Sequence, residues 1–456
     1  MADQVQGARR MLNAGHAHLF DYVTDKTTRD AITARQFGAG GGDAGAFIRQ
    51  AVSESAEGLI ISGAIAINSA VTLQNFSLVG EHYNVGAGFP VAQSGALVEL
   101  RSRTAEPIKA GRNATIRGLS FLWPDQIDSN QEVIDTGAAI EFPTLLTPVD
   151  DQTTVAGLRW TDCTVMNAYR IASLGGNGAK NKSGGNRIAI RGFAFKEALR
   201  LNNMPEFLNL EGSDFCWAAY AAEINHHYGT GNPGPYPLTL REYAKANAVG
   251  VLIWGDGTRS VDGIWAKGVP WLGWHTVVRV ENGGTLTCSN FDGPHDYIQR
   301  FVQVEPGGAL GSSHFRQRGA GFVYKYGEIH AVATPPLIEI NEPRFCDASF
   351  DIEQGFGDGE VLVANGANIT DLSAKIVSRS FAATGVAGEY TLAKVNAPNA
   401  QVDIEVRSRT GGANRHGVKI IAARSSRVNA HLDGFCKPVE IAATTGQHTV
   451  RATTTN

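Results

Sequence analysis

The segment LIISGAIAINSAVTLQNFSLVG, residues 59–80, contains three short apolar runs separated by Gly, Asn or Ser. Each run has the length of a strand and is bounded by turn residues. The apolar residues do not recur at the three-to-four-residue spacing of an amphipathic helix. This segment therefore predicts three short strands in succession.

Similar runs recur toward the C-terminus, with turn residues between them. The later runs are Thr115–Phe121, Gly157–Trp160, Arg187–Phe195, Val277–Glu281, Phe301–Glu305, Leu337–Asn341, Val402–Val406 and Val418–Ile421. Successive runs are often about 20 to 40 residues apart, which is the repeat length of a solenoid. Several alternate apolar and polar residues, as strands with one buried face do.

The repeat predicts an all-β fold, a right-handed single-stranded parallel β-helix whose coils stack and bury a continuous core. The competing fold is a sandwich or propeller of antiparallel hairpins. Such hairpins would show frequent two-residue Asn-Gly or Asp-Gly turns. In this sequence those turns are scattered, which favours the β-helix.

Composition argues against two classes of partner. The net charge is −4, and no long Lys/Arg run is present of the kind that follows a phosphate backbone. No stretch reaches about 18 consecutive apolar residues, and the N-terminus lacks the basic start and apolar core of a secretory signal. We expect a soluble product made in the cytoplasm, with no nucleic-acid or membrane partner.

The ends of the chain differ from its middle. In residues 1–36, apolar residues recur at helical spacing up to Tyr22 and a polar stretch follows, which predicts a short helical arm that docks on a partner or symmetry mate. Asp43 can cap a short helix through Ser53 that covers the end of the strand stack. Residues 37–400 are then the β-helix, and 401–456 are C-terminal β coils or a trimerisation region. One more short helix is predicted at 238–246.

The start of the predicted β-helix carries a family resemblance. The stretch Ala34-Arg35-Gln36-Phe37-Gly38-Ala39-Gly40-Gly41-Gly42-Asp43 and the helix after it resemble the entry motif of pectate-lyase-like β-helix proteins. That motif opens with Phe-Gly-Ala, a Gly/Asp turn and a capping helix. The segment Leu73–Gly80 resembles the family's first coil. Phage tailspikes share this opening after a short particle-binding arm, which residues 1–36 resemble.

The resemblance implies a homotrimer of β-helices lying side by side that binds or cleaves host surface polysaccharide. It also implies that residues 1–36 attach to a phage tail or baseplate protein, so that the protein is located in the virion tail. Two alternatives stay open. One is a tail protein of the same fold without enzymatic activity, and the other is a bacterial polysaccharide lyase or hydrolase.

Tryptophans are concentrated in one part of the chain. Four of the seven fall within 21 residues: Trp254, Trp265, Trp271 and Trp274. Sugar rings pack on aromatic rings, and an aromatic body with a polar tip suits a half-wet groove. We predict these four residues, with His295, as the substrate-binding set. The alternative is that they are core aromatics or trimer contacts.

Carboxylates for glycoside hydrolysis must flank the scissile bond, about 5 to 9.5 Å apart depending on the stereochemical outcome. Candidates are Asp292 and Asp296 in one run, and Asp351 with Glu353 in another, where i, i+2 spacing places both on one strand face. Each could instead be a solvated outer-face carboxylate. A lyase would need a base and a positive group, for which Arg316 and Arg318 near His314 are the candidates.

Metal and cofactor motifs are missing from the sequence. The five cysteines are Cys163, Cys216, Cys288, Cys346 and Cys436, with no C-x-x-C pair and no close Cys/His cluster. The glycine-rich turn at 38–42 lacks the Lys-Ser/Thr of a phosphate loop, and the pair His226-His227 is typical of a polar surface loop. We predict no metal site and no cofactor.

Overall fold

The structure is a computed structural model of the chain. It describes residues 15–33, 43–54, 57–81, 96–101, 106–123, 144–150, 155–175, 184–202, 206–217, 248–296, 298–318, 335–354, 360–378, 390–408, 415–433, 437–442 and 446–455. These residues fall into two compact units, the first of residues 1–200 and 206–238 and the second of residues 201–205 and 239–456. The described strands pair in parallel.

The first unit contains three short helices and fourteen strands among its described residues. The helices are α1 (Leu19–Tyr22), α2 (Lys26–Thr33) and α3 (Gly45–Ser53). The strands are β1 (His16–His18), β2 (Gly58–Ile61), β3 (Ala64–Ile67), β4 (Val71–Leu73), β5 (Ser77–Gly80), β6 (Ala96–Leu100), β7 (Ile108–Ala110), β8 (Thr115–Arg117), β9 (Leu119–Leu122), β10 (Thr144–Pro148), β11 (Arg159–Ser173), β12 (Asn186–Asn202), β13 (Leu208–Asn209) and β14 (Asp214–Trp217).

Strands of the first unit stack in three columns. β2, β5 and β8 form one column, β3, β6 and β9 a second, and β4, β7 and β10 a third. The long strand β11 pairs with all three columns in turn, through Arg159 with Thr115, Thr164 with Ser120 and Arg170 with Thr144. This is the coil-on-coil arrangement of a β-helix.

The N-terminal segment packs on the first coil. The expected short helix through Ser53 is confirmed, but its N-cap residue is Ala44 rather than the predicted Asp43. The Asp43 carboxylate accepts hydrogen bonds from the backbone N–H groups of Gly45, at the start of α3, and of Asn68, at 2.9 and 3.0 Å. The expected arm differs in detail. Residues 16–18 form β1, which pairs with β2, because a strand satisfies the free backbone groups at the edge of the first coil. The polar stretch expected as a linker contains the start of α2.

The second unit has eighteen strands among its described residues. They are β15 (Val249–Trp254), β16 (Val261–Asp262), β17 (Ile264–Lys267), β18 (Trp271–Leu272), β19 (Thr276–Val280), β20 (Thr285–Thr287), β21 (Asn290–Gly293), β22 (His295–Asp296), β23 (Arg300–Val304), β24 (Ala309–Gln317), β25 (Ile338–Asn341), β26 (Phe345–Gln354), β27 (Leu362–Asn365), β28 (Ile369–Ser378), β29 (Tyr390–Ser408), β30 (Arg415–Asp433), β31 (Lys437–Ile441) and β32 (Gln447–Thr455).

Successive coils of the second unit repeat the same turn. The segments 281–284 and 305–308 each close a tight turn, in which the N–H of Gly284 or Gly308 donates to the carbonyl of Glu281 or Glu305 at 2.8 and 2.9 Å. Gly283 has φ +84°, and a Cβ there would lie 2.2 Å from the carbonyl oxygen of Gly255. Only glycine fits such a position, since it lacks a Cβ. The turn therefore stacks on the preceding coil by backbone contact alone.

A column of aromatic rings fills the interior of the second unit. Phe291, Phe315 and Phe350 are paired in register on β21, β24 and β26 and all are buried. Their rings stack at centroid distances of 5.5 and 5.4 Å, and Phe301 packs edge-on against Phe315 at 5.9 Å. Stacked identical side chains in neighbouring coils give this core its continuity.

The predicted right-handed parallel β-helix is confirmed by this topology, and antiparallel pairs do not occur among the described strands. The helix predicted at 238–246 lies outside the described residues, and the domain boundaries after residues 36 and 400 remain predictions. A search of the described residues finds no helix with the length and apolar character to span a membrane. The same ranges contain no group of three or more His, Cys, Asp or Glu residues placed to hold a metal ion.

Candidate functional site

One outer surface of the second unit concentrates polar side chains in three columns, and we name it the ladder face. It is formed by the outward positions of β17, β21, β24, β26, β28, β29, β30 and β32. The first column is Trp265, Asn290, His314, Ser349, Ser373, Asp403, Arg427 and Thr449. The second is Lys267, Asp292, Arg316, Asp351, Lys375, Glu405, Asn429 and Arg451. The third is Glu353, Val377, Arg407, His431 and Thr453.

Strand alternation explains why these side chains point outward. In β17 the burial alternates, with Ile264 and Ala266 buried and Trp265 and Lys267 exposed. In β28 Ala374 and Ile376 are buried while Lys375 is exposed. Because the coils pair in register, each outward position repeats above the last at the strand spacing of about 4.8 Å. The columns follow directly from that register.

Ion pairs join side chains of neighbouring coils on the ladder face. Arg316 Nε lies 3.1 Å from Asp351 Oδ2, and Arg427 Nη1 lies 3.6 Å from Asp403 Oδ2. Each pair joins neighbouring coils, since residues of opposite charge follow one another in a column. Exposed pairs of this kind add little stability, typically about 0 to 1 kcal/mol. Their main effect is to hold the charged groups in place on the surface.

A groove of about 470 Å³ lies at the end of the ladder face nearest β32. It is lined by Glu405, Val406, Arg407, Asn429, Ala430, His431, Arg451 and Thr453. Within it, Arg407 Nη2 lies 2.9 Å from Glu405 Oε1. In the described part of the chain, no side-chain hydrogen bond or ion pair involves Arg451, His431, Asn429 or Thr453. The groove therefore offers several unused donors to a ligand.

The four predicted tryptophans occupy different environments. Trp265 lies in the first column of the ladder face with 44% of its surface exposed. Trp254 is half-buried at the end of β15. Trp271 and Trp274 are fully buried and pack edge-to-face at 6.4 Å. A ring without exposed surface cannot stack on a sugar, so the predicted sugar contact is corrected for these two, which are core aromatics in this structure.

His295 also lies in the interior. It is paired in register with Trp271, and its ring lies 4.5 Å from that of Phe301. Burial lowers the pKa of His295 to about 3, because the interior disfavours the charged imidazolium. The imidazole is thus neutral and inaccessible near neutral pH, and the substrate contact predicted for it is corrected to a core position.

Of the four predicted catalytic carboxylates, the side chains of Asp292, Asp351 and Glu353 are described, and they differ in burial. Asp292 is buried, and both of its oxygens accept hydrogen bonds from Arg318 at 2.9 Å. Asp351 and Glu353 are half-buried on the ladder face, in its second and third columns. The side chain of Asp296 lies outside the described residues. Of the predicted set, Asp351 and Glu353 are the pair that a ligand on the ladder face could reach.

The groups considered for a lyase are also placed on the ladder face or beside it. Arg316 forms an ion pair with Asp351, and Arg318 forms one with Asp292. His314 shares a hydrogen bond at 2.8 Å with the Ser349 hydroxyl. The pair His226-His227 lies outside the described residues, as does Cys436. Cys163, Cys216 and Cys346 are buried free thiols, whereas Cys288 is exposed.

A second carboxylate cluster, which the sequence interpretation missed, lies on another outer surface of the second unit. Arg300 Nη2 lies 3.0 Å from Glu339 Oε2. Burial raises the pKa of the neighbouring Glu360 carboxyl. The positive charge of Lys394 lowers this pKa and so offsets part of the increase, whereas repulsion from Glu339 adds to it. A carboxyl with a raised pKa beside a second carboxyl is an arrangement that enzymes use for acid catalysis. The alternation Leu337-Ile338-Glu339-Ile340 already indicated an outward Glu339.

Comparison with known proteins gives likeness of fold alone. No protein-family model and no curated protein matches the chain. Similar solved structures include a mutant tailspike protein of E. coli bacteriophage HK620 in complex with pentasaccharide, at 11% identity and a TM-score of 0.39, covering 96% of this chain and 65% of that one. The catalytic domain of a GH87 alpha-1,3-glucanase in complex with tetrasaccharides is 12% identical with a TM-score of 0.37, covering 90% and 66%.

A third similar structure is Geobacillus virus E2 ORF18, at 11% identity and a TM-score of 0.27, covering 99% of this chain and 64% of that one. The chain spans less than two thirds of the length of each of these three proteins. The fold itself follows from the strand pairing of the chain, in which coil stacks on coil in parallel register. The chain is a right-handed parallel β-helix protein.

Proposed function

We propose that this chain is the receptor-binding protein of a phage tail and that it binds host surface polysaccharide along the ladder face. The proposal extends to a homotrimer held to the tail or baseplate through residues 1–36, as the sequence resemblance implies. The observation that carries it is the ladder face itself. An exposed aromatic ring, Trp265, stands in the same set of columns as an open polar groove.

The dimensions of the ladder face suit a chain of sugars. From Trp265 the first column continues through seven further coils to Thr449, a distance of roughly 34 Å at about 4.8 Å per step. Along it, hydroxyls, amides and fixed charges alternate, and these groups exchange hydrogen bonds with sugar hydroxyls. An extended oligosaccharide can therefore contact several coils at once, whereas a single sugar contacts only one or two.

Replacing Trp265 by Ala should weaken polysaccharide binding by about tenfold, equivalent to about 1.4 kcal/mol, because the exposed ring supplies a flat apolar face for a sugar. Binding to an array of purified bacterial surface polysaccharides, followed by biolayer interferometry on the positive ones, measures this. Trp265→Tyr keeps an aromatic face and should retain most of the affinity. Absence of binding to every polysaccharide, or equal binding by Trp265→Ala, would argue against the proposal.

Depolymerisation is the second candidate function, and the position of Asp351 and Glu353 favours it. The two carboxylates share one strand face, and their columns continue through Lys375 and Val377 to the groove residues Glu405 and Arg407. A polysaccharide seated in the groove would therefore extend past them. Hydrolysis needs two carboxylates that flank the bond. Asp351 and Glu353 are one accessible pair on the ladder face, and Asp403 and Glu405 of β29 are another.

If the chain hydrolyses its polysaccharide, Asp351→Asn and Glu353→Gln should each lower the release of new reducing ends by about 100-fold or more. Asp162→Asn, an exposed carboxylate outside the ladder face that is paired with Arg117, should retain activity. Glu360→Gln tests the second carboxylate cluster, so loss of activity in that variant alone would move the active site there. Ultraviolet absorbance of unsaturated uronate in the same reactions would instead identify a lyase.

A further inference from the structure

We infer that the groove at the end of the ladder face binds a sugar that carries a single negative charge, such as a uronate, so that the polysaccharide is acidic. This inference rests on the proposed function and specifies its substrate class. It stands on the groups that line the groove, which are supplied in register by β29, β30 and β32.

The groove contains more positively than negatively charged side chains. Glu405 is matched by Arg407 at 2.9 Å, so these two groups neutralise each other. Arg451 follows Glu405 and Asn429 in the second column, and in the described residues it has no ion pair. One guanidinium charge therefore remains unbalanced at the open side of the groove. A guanidinium presents parallel N–H donors that match the two oxygens of a carboxylate.

Three further side chains that can donate hydrogen bonds line the same groove as Arg451. Asn429 precedes Arg451 in its column, and His431 precedes Thr453 in the neighbouring column. Neighbouring columns on one strand face lie two residues apart, and neighbouring coils lie about 4.8 Å apart. An amide, an imidazole and a hydroxyl therefore line the same groove as the guanidinium of Arg451.

The net charge of the groove decides which anion fits. Because Arg407 already balances Glu405, one positive charge remains, and a ligand with a single negative charge balances it. The Glu405 carboxylate accepts hydrogen bonds from sugar hydroxyls. A sugar with one carboxylate and several hydroxyls uses both features, since its anion meets Arg451 and its hydroxyls meet Glu405. A simple inorganic anion uses only one of them.

The test measures binding of the full-length protein to pairs of oligosaccharides by isothermal titration calorimetry. The acidic members are oligomers of galacturonate, of mannuronate and guluronate, and of hyaluronan. The neutral members are the same oligomers after reduction of the carboxyl groups to alcohols. The variants are Arg451→Gln, which removes the unpaired charge, and Arg117→Gln, a control for an exposed arginine that lies outside the ladder face and is paired with Asp162.

We expect at least one acidic oligomer to bind roughly tenfold or more tightly than its reduced form, as a charge-assisted hydrogen bond requires. Arg451→Gln should remove this difference, and Arg117→Gln should keep it. The inference is overturned if reduced and acidic forms bind alike, if Arg451→Gln keeps the preference, or if no acidic oligomer binds. Binding of neutral forms that is lost in Trp265→Ala would overturn the acidic specificity while leaving the proposed glycan binding intact.

Discussion

Replacing Phe315 by Ala should destabilise the second unit by about 4 kcal/mol, within the usual range for removal of a buried phenylalanine. The ring is fully buried, stacks on Phe291 and Phe350, and meets Phe301 edge-on. Its loss leaves a cavity between two coils that cannot close, because backbone hydrogen bonds fix their separation. Urea unfolding followed by far-ultraviolet circular dichroism measures the change.

Phe345→Ala provides the matched control, since this phenylalanine of the next coil is 40% exposed and its truncation should cost far less. A double variant with Phe350→Ala should lose less than the sum of the two single losses, because adjacent rings share the same contacts. Equal destabilisation by Phe315→Ala and Phe345→Ala would show that the ring stack does not contribute as the structure indicates.

The second prediction concerns the loss of folding stability at low pH. The folded pKa of His295 is about 3, below the value of about 6.5 expected in an unfolded chain. Between these values the unfolded chain binds a proton that the folded chain does not bind, so the free energy of unfolding falls as the pH falls. At pH 4.5 this single group should remove about 3 kcal/mol of the stability present at pH 7.

His295→Leu should therefore lose about 3 kcal/mol less than the natural chain between pH 7 and pH 4.5, whatever its stability at pH 7. Urea unfolding at both pH values gives the comparison. Carboxylates contribute to acid unfolding in both proteins and cancel in the difference. His431→Leu, at an exposed position, should behave as the natural chain does. An identical acid loss in His295→Leu would show that the imidazole titrates normally.

The fold was predictable because short stretches of sequence show which residues form the apolar strands and which form the turns between them. Runs such as Leu59–Ile61 and Ala64–Ile67 are apolar between Gly, Asn and Ser, and they form β2 and β3 with almost the predicted bounds. The register between coils was not predictable. Ser77 pairs with Thr115, whereas Asn290 pairs with His314, so coil length varies and no fixed repeat aligns one run with the next.

The site was predictable in part. The alternation of apolar and polar residues indicates which side chains face outward, and the burial of the side chains agrees with it. This holds for Ile264-Trp265-Ala266-Lys267 and for Val402-Asp403-Ile404-Glu405-Val406. Trp271 and Trp274 do not follow such a pattern, because Gly273 between them has φ +75° and turns the chain. The groove could not be foreseen, since Glu405, Asn429 and Arg451 come from three coils whose alignment only the structure gives.

The tight turns at 281–284 and 305–308 show that one coil of the second unit closes on itself with its own backbone hydrogen bonds. A whole coil can therefore be duplicated or deleted as a cassette without changing the side chains of the coils that remain. Each such event lengthens or shortens the ladder face by one step of about 4.8 Å. Under the proposed function, evolution can thus adjust how many sugar units the face contacts independently of which sugar the groove recognises.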